Sequence, residues 1–188
     1  DVYKRQVLDR ACAQLRAWHD AGHRGWTMAV NLSPLQFASP TLLASVRAAL
    51  ERHAIDPPLL TLEITETTAM KNVDASLAIL NDLTAMGVHI AIDDFGTGYS
   101  SLLYLKRMPA TELKIDRAFV HDLERNAEDA AIVSSIIALG RTLQLQVVAE
   151  GVETQAQREY LSELGCDQLQ GYHLGRPMDA EEFLRKVG

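Results

Sequence analysis

The chain has 188 residues, 47% hydrophobic and 23% charged, with a formal net charge of -7 and a pI near 5.3. That length supports one sizeable core rather than two, and the composition is ordinary for a soluble globular protein. The acidic balance argues against a general binder of the nucleic-acid backbone, and no run of about 18 apolar residues exists to span a membrane. A small anionic ligand stays open, because a bound metal inverts the local field. Cys12 and Cys166 lie far apart, in no metal-ligand spacing. A reducing, cytoplasmic setting with two structural thiols is the expectation.

The first six residues, Asp1-Val2-Tyr3-Lys4-Arg5-Gln6, back-translate to GATGTGTATAAGAGACAG, which resembles the transposon end used to prepare sequencing libraries. Residues 1–6 are therefore expected to be adapter-encoded, with one partial domain over 7–188. Val7, Leu8, Ala11, Leu15 and Trp18 follow helical spacing, in a helix ending near Gly22. Trp26 to Leu32 is β-rich. Pro40 to His53 reads as a helix with Ser39 or Thr41 near its start. Leu59 to Thr65 reads as a strand, Val73 to Met86 as a helix stopped by Gly87, and Val88 to Ile92 as a strand. A short helix over Ser100 to Met108, closed by Pro109, precedes a strand over Thr111 to Asp116. Ala127 to Leu143 is a long helix and Leu145 to Ala149 a strand. Thr154 to Leu164 is a helix stopped by Gly165. Cys166 to Tyr172 is a last strand, and Ala180 to Val187 a last helix.

Strict alternation of strand and helix predicts an α/β fold with parallel strands and crossover helices. Unusual polar residues then fall near successive strand ends: Asn31, Glu63, the pair Asp93 and Asp94, Lys114, Glu150, and Gln170 in the sixth strand. One polar residue near the carboxyl end of each strand is the layout of a (β/α) TIM-type barrel, whereas an open doubly wound sheet gathers its ligand from fewer strands. Alternation supports this. Leu60, Leu62 and Ile64 share one face of the second strand, with Thr61, Glu63 and Thr65 on the other. In the fourth, Leu113 and Ile115 oppose Glu112, Lys114 and Asp116. A full barrel has eight units in about 250 residues, so an incomplete barrel is expected, with its first strand and much of its first helix missing.

Adjacent carboxylates at Asp93 and Asp94 cannot both point into a core if strand side chains alternate, and they repel unless a cation balances them. A divalent-metal site under the glycine-bearing loop Phe95-Gly96-Thr97-Gly98 is one reading; an acidic turn is the other. Asn31, Glu63, Asp93 and Asp94 are hard oxygen donors, suited to Mg2+ or Mn2+. Two such ions about 3.5–4 Å apart would clamp an in-line displacement at phosphorus. Lys114 would orient water or offset phosphate charge, or else form a salt bridge to Glu112 or Asp116. Glu150 and Gln170 would complete the shell, although Glu150 and Glu153 also read as ordinary acids before a helix. His19 and His23 share a helix face without a third partner and read as a solvated helix end.

The segments Asn31-Leu32-Ser33-Pro34-Leu35-Gln36-Phe37, Leu62-Glu63-Ile64-Thr65-Glu66, 93–102, Leu113-Lys114-Ile115-Asp116-Arg117, 148–154 and Gln170-Gly171-Tyr172 resemble, in order, the EAL phosphodiesterase family. The resemblance implies hydrolysis of cyclic di-GMP to linear pGpG with magnesium or manganese, in bacterial signalling. It implies metal ligation by Asn31, Glu63, Asp93 and Asp94, and catalytic roles for Lys114, Glu150 and Asp93. It also implies site-completing or substrate contacts from Gln170 and Asp116, and anchoring of the loop after Asp94 by Glu66. That loop would link metal binding to contacts in a homodimer. The Glu-Ala-Leu motif that names the family does not occur here, nor does its neighbouring Arg. The chain is therefore expected to be a fragment whose parent is an enzyme, with upstream segments able to hold a membrane anchor. A degenerate cyclic di-GMP sensor is the alternative, as a protein that had shed metal ligands. The polypeptide as given is expected to expose sheet edges and to have little activity of its own.

Overall fold

In a computed structural model, residues 2–98 and 101–187 are described, with side chains from Gln6 onward. In chain order the elements are α1 (Val2–Asp20), β1 (Met28–Asn31), α2 (Pro34–Phe37), α3 (Leu42–His53), a 3-10 turn (Pro57–Leu59), β2 (Leu60–Thr65), α4 (Glu66–Met70), α5 (Val73–Ala85) and β3 (His89–Phe95). There follow α6 (Leu102–Leu105), β4 (Glu112–Ile115), α7 (Arg117–His121), α8 (Ala127–Leu143), β5 (Gln146–Ala149), α9 (Gln155–Glu163), β6 (Gln168–Leu169) and α10 (Ala180–Val187). The sheet order is β1-β2-β3-β4-β5-β6, and the described pairings are parallel. Parallel neighbours in chain order require a crossover between each pair, which is the role of the intervening helices.

Several boundaries differ from expectation for local reasons. The first helix runs back to Val2, because Lys4, Arg5 and Gln6 are good helix formers that continue it without a break. The helix expected from Ser100 starts outside the described residues, as does Tyr99; what is described is α6. Three short helices were not expected: α2, α4 and α7. Each is nucleated by a side-chain cap directly after a strand, through Ser33, Thr65 and Asp116 respectively. One turn of helix is too short to register as periodicity.

The chain forms two compact units. The first comprises Asp1–Ile64, Ala78–Ile90 and Met178–Gly188; the second comprises Thr65–Leu77 and Ala91–Pro177. In the first, α1 packs against α3 and β1, burying Leu8, Cys12 and Leu15 on one helical face together with Val46 and Leu50 of α3. Asp9 ties α1 to the end of α3, accepting from Arg52 Nη1 at 2.6 Å and meeting His53 Nε2 at 3.0 Å. Phe183 of α10 closes an aromatic cluster with Trp18 and Trp26, at centroid distances of 5.4 and 5.2 Å. β1 and β2 place Asn31 and Glu63 as register partners.

In the second unit α8 packs on β4, β5 and α7. Leu113, Ile115, Val133 and Ala149 are fully buried, and each large aliphatic side chain removed from water stabilises the fold by about 1.5–3 kcal/mol. Gly140 permits the close approach of α8 to β5: a Cβ there would stand 2.2 Å from Val147 Cγ2. Among the described residues no helix is long and apolar enough to cross a membrane.

Candidate active site

β3 extends through Asp93 and Asp94, so the acidic pair lies inside the strand and not in a turn after it. The register with β4 shifts between Ile92 and Phe95, and Asp94 adopts a left-handed backbone with φ 54°. Aspartate tolerates that conformation better than most residues. The irregularity overrides the alternation that would send the two carboxylates to opposite faces. Asp93, Asp94 and Glu150 consequently bring one carboxylate oxygen each within 4.8 Å of one another.

Lys114 stands among them. Its Nζ lies 2.6 Å from Glu150 Oε1 and 3.2 Å from Asp93 Oδ1, with the lysine side chain only 4% exposed. The salt-bridge alternative read from sequence named Glu112 or Asp116; the described ion pairs of Lys114 are to Asp93 and Glu150. Glu150 follows β5 directly and is held there by its backbone N–H, which donates to Ile115 O at 3.2 Å. Three carboxylates against one ammonium leave an excess of negative charge in a half-buried place. Burial, helped by the neighbouring Asp93 charge and the Asp116 carboxyl, lifts the Asp94 carboxyl above its ordinary value. Asp116 also caps α7, accepting from Ala118 N at 2.7 Å.

The loop after Asp94 is tied to Glu66, the first residue of α4. Glu66 Oε2 accepts from Gly96 N at 2.9 Å and Gly98 N at 3.3 Å. Gly96 has φ 100°, and a Cβ on Gly98 would fall 2.9 Å from Glu66 Oε1, so both positions need glycine for this contact. Gln170 follows the two-residue β6 instead of lying within a longer strand. Its N–H donates to Ala149 O at 2.9 Å and its carbonyl accepts from Val152 N at 3.0 Å. In the first unit, Asn31 is exposed and Glu63 buried. His19 contacts the Trp26 carbonyl at 2.9 Å and His23 stacks on the Trp26 ring at 4.2 Å; these histidines serve packing. Sequence reasoning passed over Gln157, a buried amide in the first turn of α9 that bonds the loop between Glu150 and α9, although its Thr154-x-x-Gln157 spacing is a legible capping box.

Residues 3–177 match the family model described as "EAL domain". The chain belongs to the EAL domain family. This EAL domain is 64% identical over 181 residues to the bifunctional diguanylate cyclase/cyclic di-GMP phosphodiesterase MucR of Pseudomonas aeruginosa, covering 96% of the chain and 26% of the relative. It is 45% identical over 182 residues to the cyclic di-GMP phosphodiesterase NbdA of the same organism, covering 95% and 23%. The chain thus spans about a quarter of the length of these curated relatives. Its fold matches a solved structure of PaMucR phosphodiesterase in a c-di-GMP complex with a TM-score of 0.93 at 64% identity, over 95% of this chain and 72% of that one. The α/β barrel class expected from sequence is therefore that of solved EAL domains.

Proposed function

We propose that this EAL domain hydrolyses cyclic di-GMP to linear pGpG with bound Mg2+ or Mn2+. The observation that carries the reading is the convergence of Asp93, Asp94 and Glu150 around Lys114. The donor set fits such an ion: it is all oxygen, anionic and half-buried, and its only described cation is one lysine. Asp93, Asp94 and Glu150 would hold the metal, which supplies Lewis acidity at a phosphodiester and lowers the pKa of attacking water. Asn31 and Glu63 are proposed as ligands on the family resemblance, as is the role of Gln170.

The chain's own residues have distinct tasks. Lys114 holds Asp93 and Glu150 in place, and its charge offsets negative charge growing on phosphate oxygens. Glu66 fixes the loop that follows Asp94, so the carboxylate at φ 54° does not relax to an ordinary strand conformation. The Asp116 carboxyl neighbours that of Asp94 and helps to raise it above its ordinary value.

The test is turnover of cyclic di-GMP, followed by chromatography of pGpG, with the domain expressed in the whole reading frame of its gene. Metal-dependent pGpG formation that EDTA abolishes and Mn2+ or Mg2+ restores is expected. Binding of the dinucleotide with no pGpG in either metal would overturn hydrolysis in favour of a sensor.

A further inference from the structure

Gln157 is 3% exposed and lies outside the cluster, yet its amide bonds the loop that carries Glu150 at one end and α7 at the other. Its Oε1 accepts from Glu153 N at 2.7 Å and Thr154 N at 3.0 Å. Its Nε2 donates to the carbonyl of His121, at 3.1 Å, in the last turn of α7. A capping box needs only the bond back to the cap residue's N–H. The second accepted bond and the donation to α7 go beyond what starting α9 requires. Thr154 reinforces the link, since its hydroxyl donates to Glu124 in the turn after α7.

That link joins two pieces of the site. α7 begins directly after Asp116, at the end of the strand that carries Lys114. Glu150 begins the loop that runs through Gly151, Val152, Glu153 and Thr154 to α9. The loop is seated on α7 without spacer atoms: a Cβ on Gly151, at φ 73°, would stand 2.6 Å from Arg117 Cβ. On the other side a Cβ on Gly171 would stand 2.1 Å from Val152 O. Glu150 therefore has little freedom if the far end of its loop is held, and Gln157, helped by the Thr154 hydroxyl, holds that end.

We propose that Gln157 is a positioning residue for the reaction, setting Glu150 against Lys114 by clamping the β5–α9 loop to α7. This rests on the phosphodiesterase reading above. A shift of about 1 Å in a reacting group can cost a hundredfold in rate, so the effect should appear in kcat and not in KM.

A graded pair of variants tests it in the domain expressed from its whole reading frame. Gln157→Glu keeps both accepted bonds and loses the donation to His121 O. Gln157→Met keeps the length and loses all three. Expected are folded proteins with kcat lowered about tenfold and about a hundredfold respectively, and KM within about threefold of the parent. Mn2+ affinity by calorimetry and hydrogen exchange of the 151–154 amides should follow the same order, with exchange in α8 unchanged. If the methionine variant fails to fold, the glutamate variant decides alone. A folded Gln157→Glu protein with the parent's kcat and Mn2+ affinity would overturn the proposal. If the parent itself forms no pGpG, the phosphodiesterase reading fails, and Mn2+ affinity and exchange still report whether Gln157 positions Glu150.

Discussion

Lys114 Nζ and Glu150 Oε1 stand 2.6 Å apart, joining the residue late in β4 to the residue just after β5. The same ammonium reaches Asp93 at 3.2 Å, so one cation orders carboxylates from two other strand ends. Its side chain is nearly out of solvent, which strengthens both attractions and raises the cost of losing either.

Replacing Lys114 with methionine should lower kcat by about a hundredfold or more, as expected for loss of a charge aimed at a phosphoryl group. The stability loss should stay below the ~3–5 kcal/mol of an uncompensated buried charge, because the carboxylates can take up a proton or a metal instead. Steady-state turnover and thermal melting with and without Mn2+ check both parts. A kcat near the parent's would remove Lys114 from the machinery.

Glu66 should matter through the loop it holds. Glu66→Ala leaves Gly96 N and Gly98 N without their described acceptor, and each bond to a charged group is worth about 1.5–3 kcal/mol. Faster amide exchange at 96–98 and a lower Tm are expected. Glu66→Gln, which keeps an acceptor oxygen without the charge, should lose less than half as much.

Gly140→Ala should destabilise despite the better helix propensity of alanine. The gain in propensity is about 1 kcal/mol, while a methyl placed 2.2 Å from Val147 Cγ2 forces α8 off β5 at a cost of about 1–3 kcal/mol. In a chain of this length each kcal/mol moves Tm by about 2–4 °C. A Tm equal to or above the parent's would show that the two elements can part without cost.

Asp9 gives a pH dependence with a definite sign. Its bond to His53, with the Arg52 guanidinium beside it, holds the carboxyl below its ordinary 3.8. A carboxyl depressed in the folded state stabilises above its unfolded value, and the contribution is lost as pH falls below 3.8 through the folded value. Asp9→Asn should therefore lower stability by well under about 1 kcal/mol at neutral pH, since the pair is solvent-facing. The difference should vanish in acid. Denaturant melts of both proteins at pH 7 and pH 2.5 read it directly; a difference that grows in acid would reverse the assignment.

The parallel strand-helix rhythm and the residues that mark the strand ends were both local properties, legible as apolar runs and isolated polar residues. α8 and α10 match their expected spans residue for residue, because seventeen and eight residues of pattern are bounded by clear caps and charges. The four-residue β1, β4 and β5 were legible only to within a residue or two, since pairing decides where so short a strand ends. What distance along the chain cannot carry is convergence. The sequence alone determined that Asp93, Asp94, Lys114 and Glu150 were unusual, and through its motifs that they belong to an EAL domain. Only the tertiary structure decided that a left-handed Asp94 breaks the alternation, that Lys114 pairs with Asp93 and Glu150, and that Gln157 bonds the β5–α9 loop to α7. Those contacts join residues far apart in the chain, and their energies depend on burial and approach that exist only once the strands lie side by side.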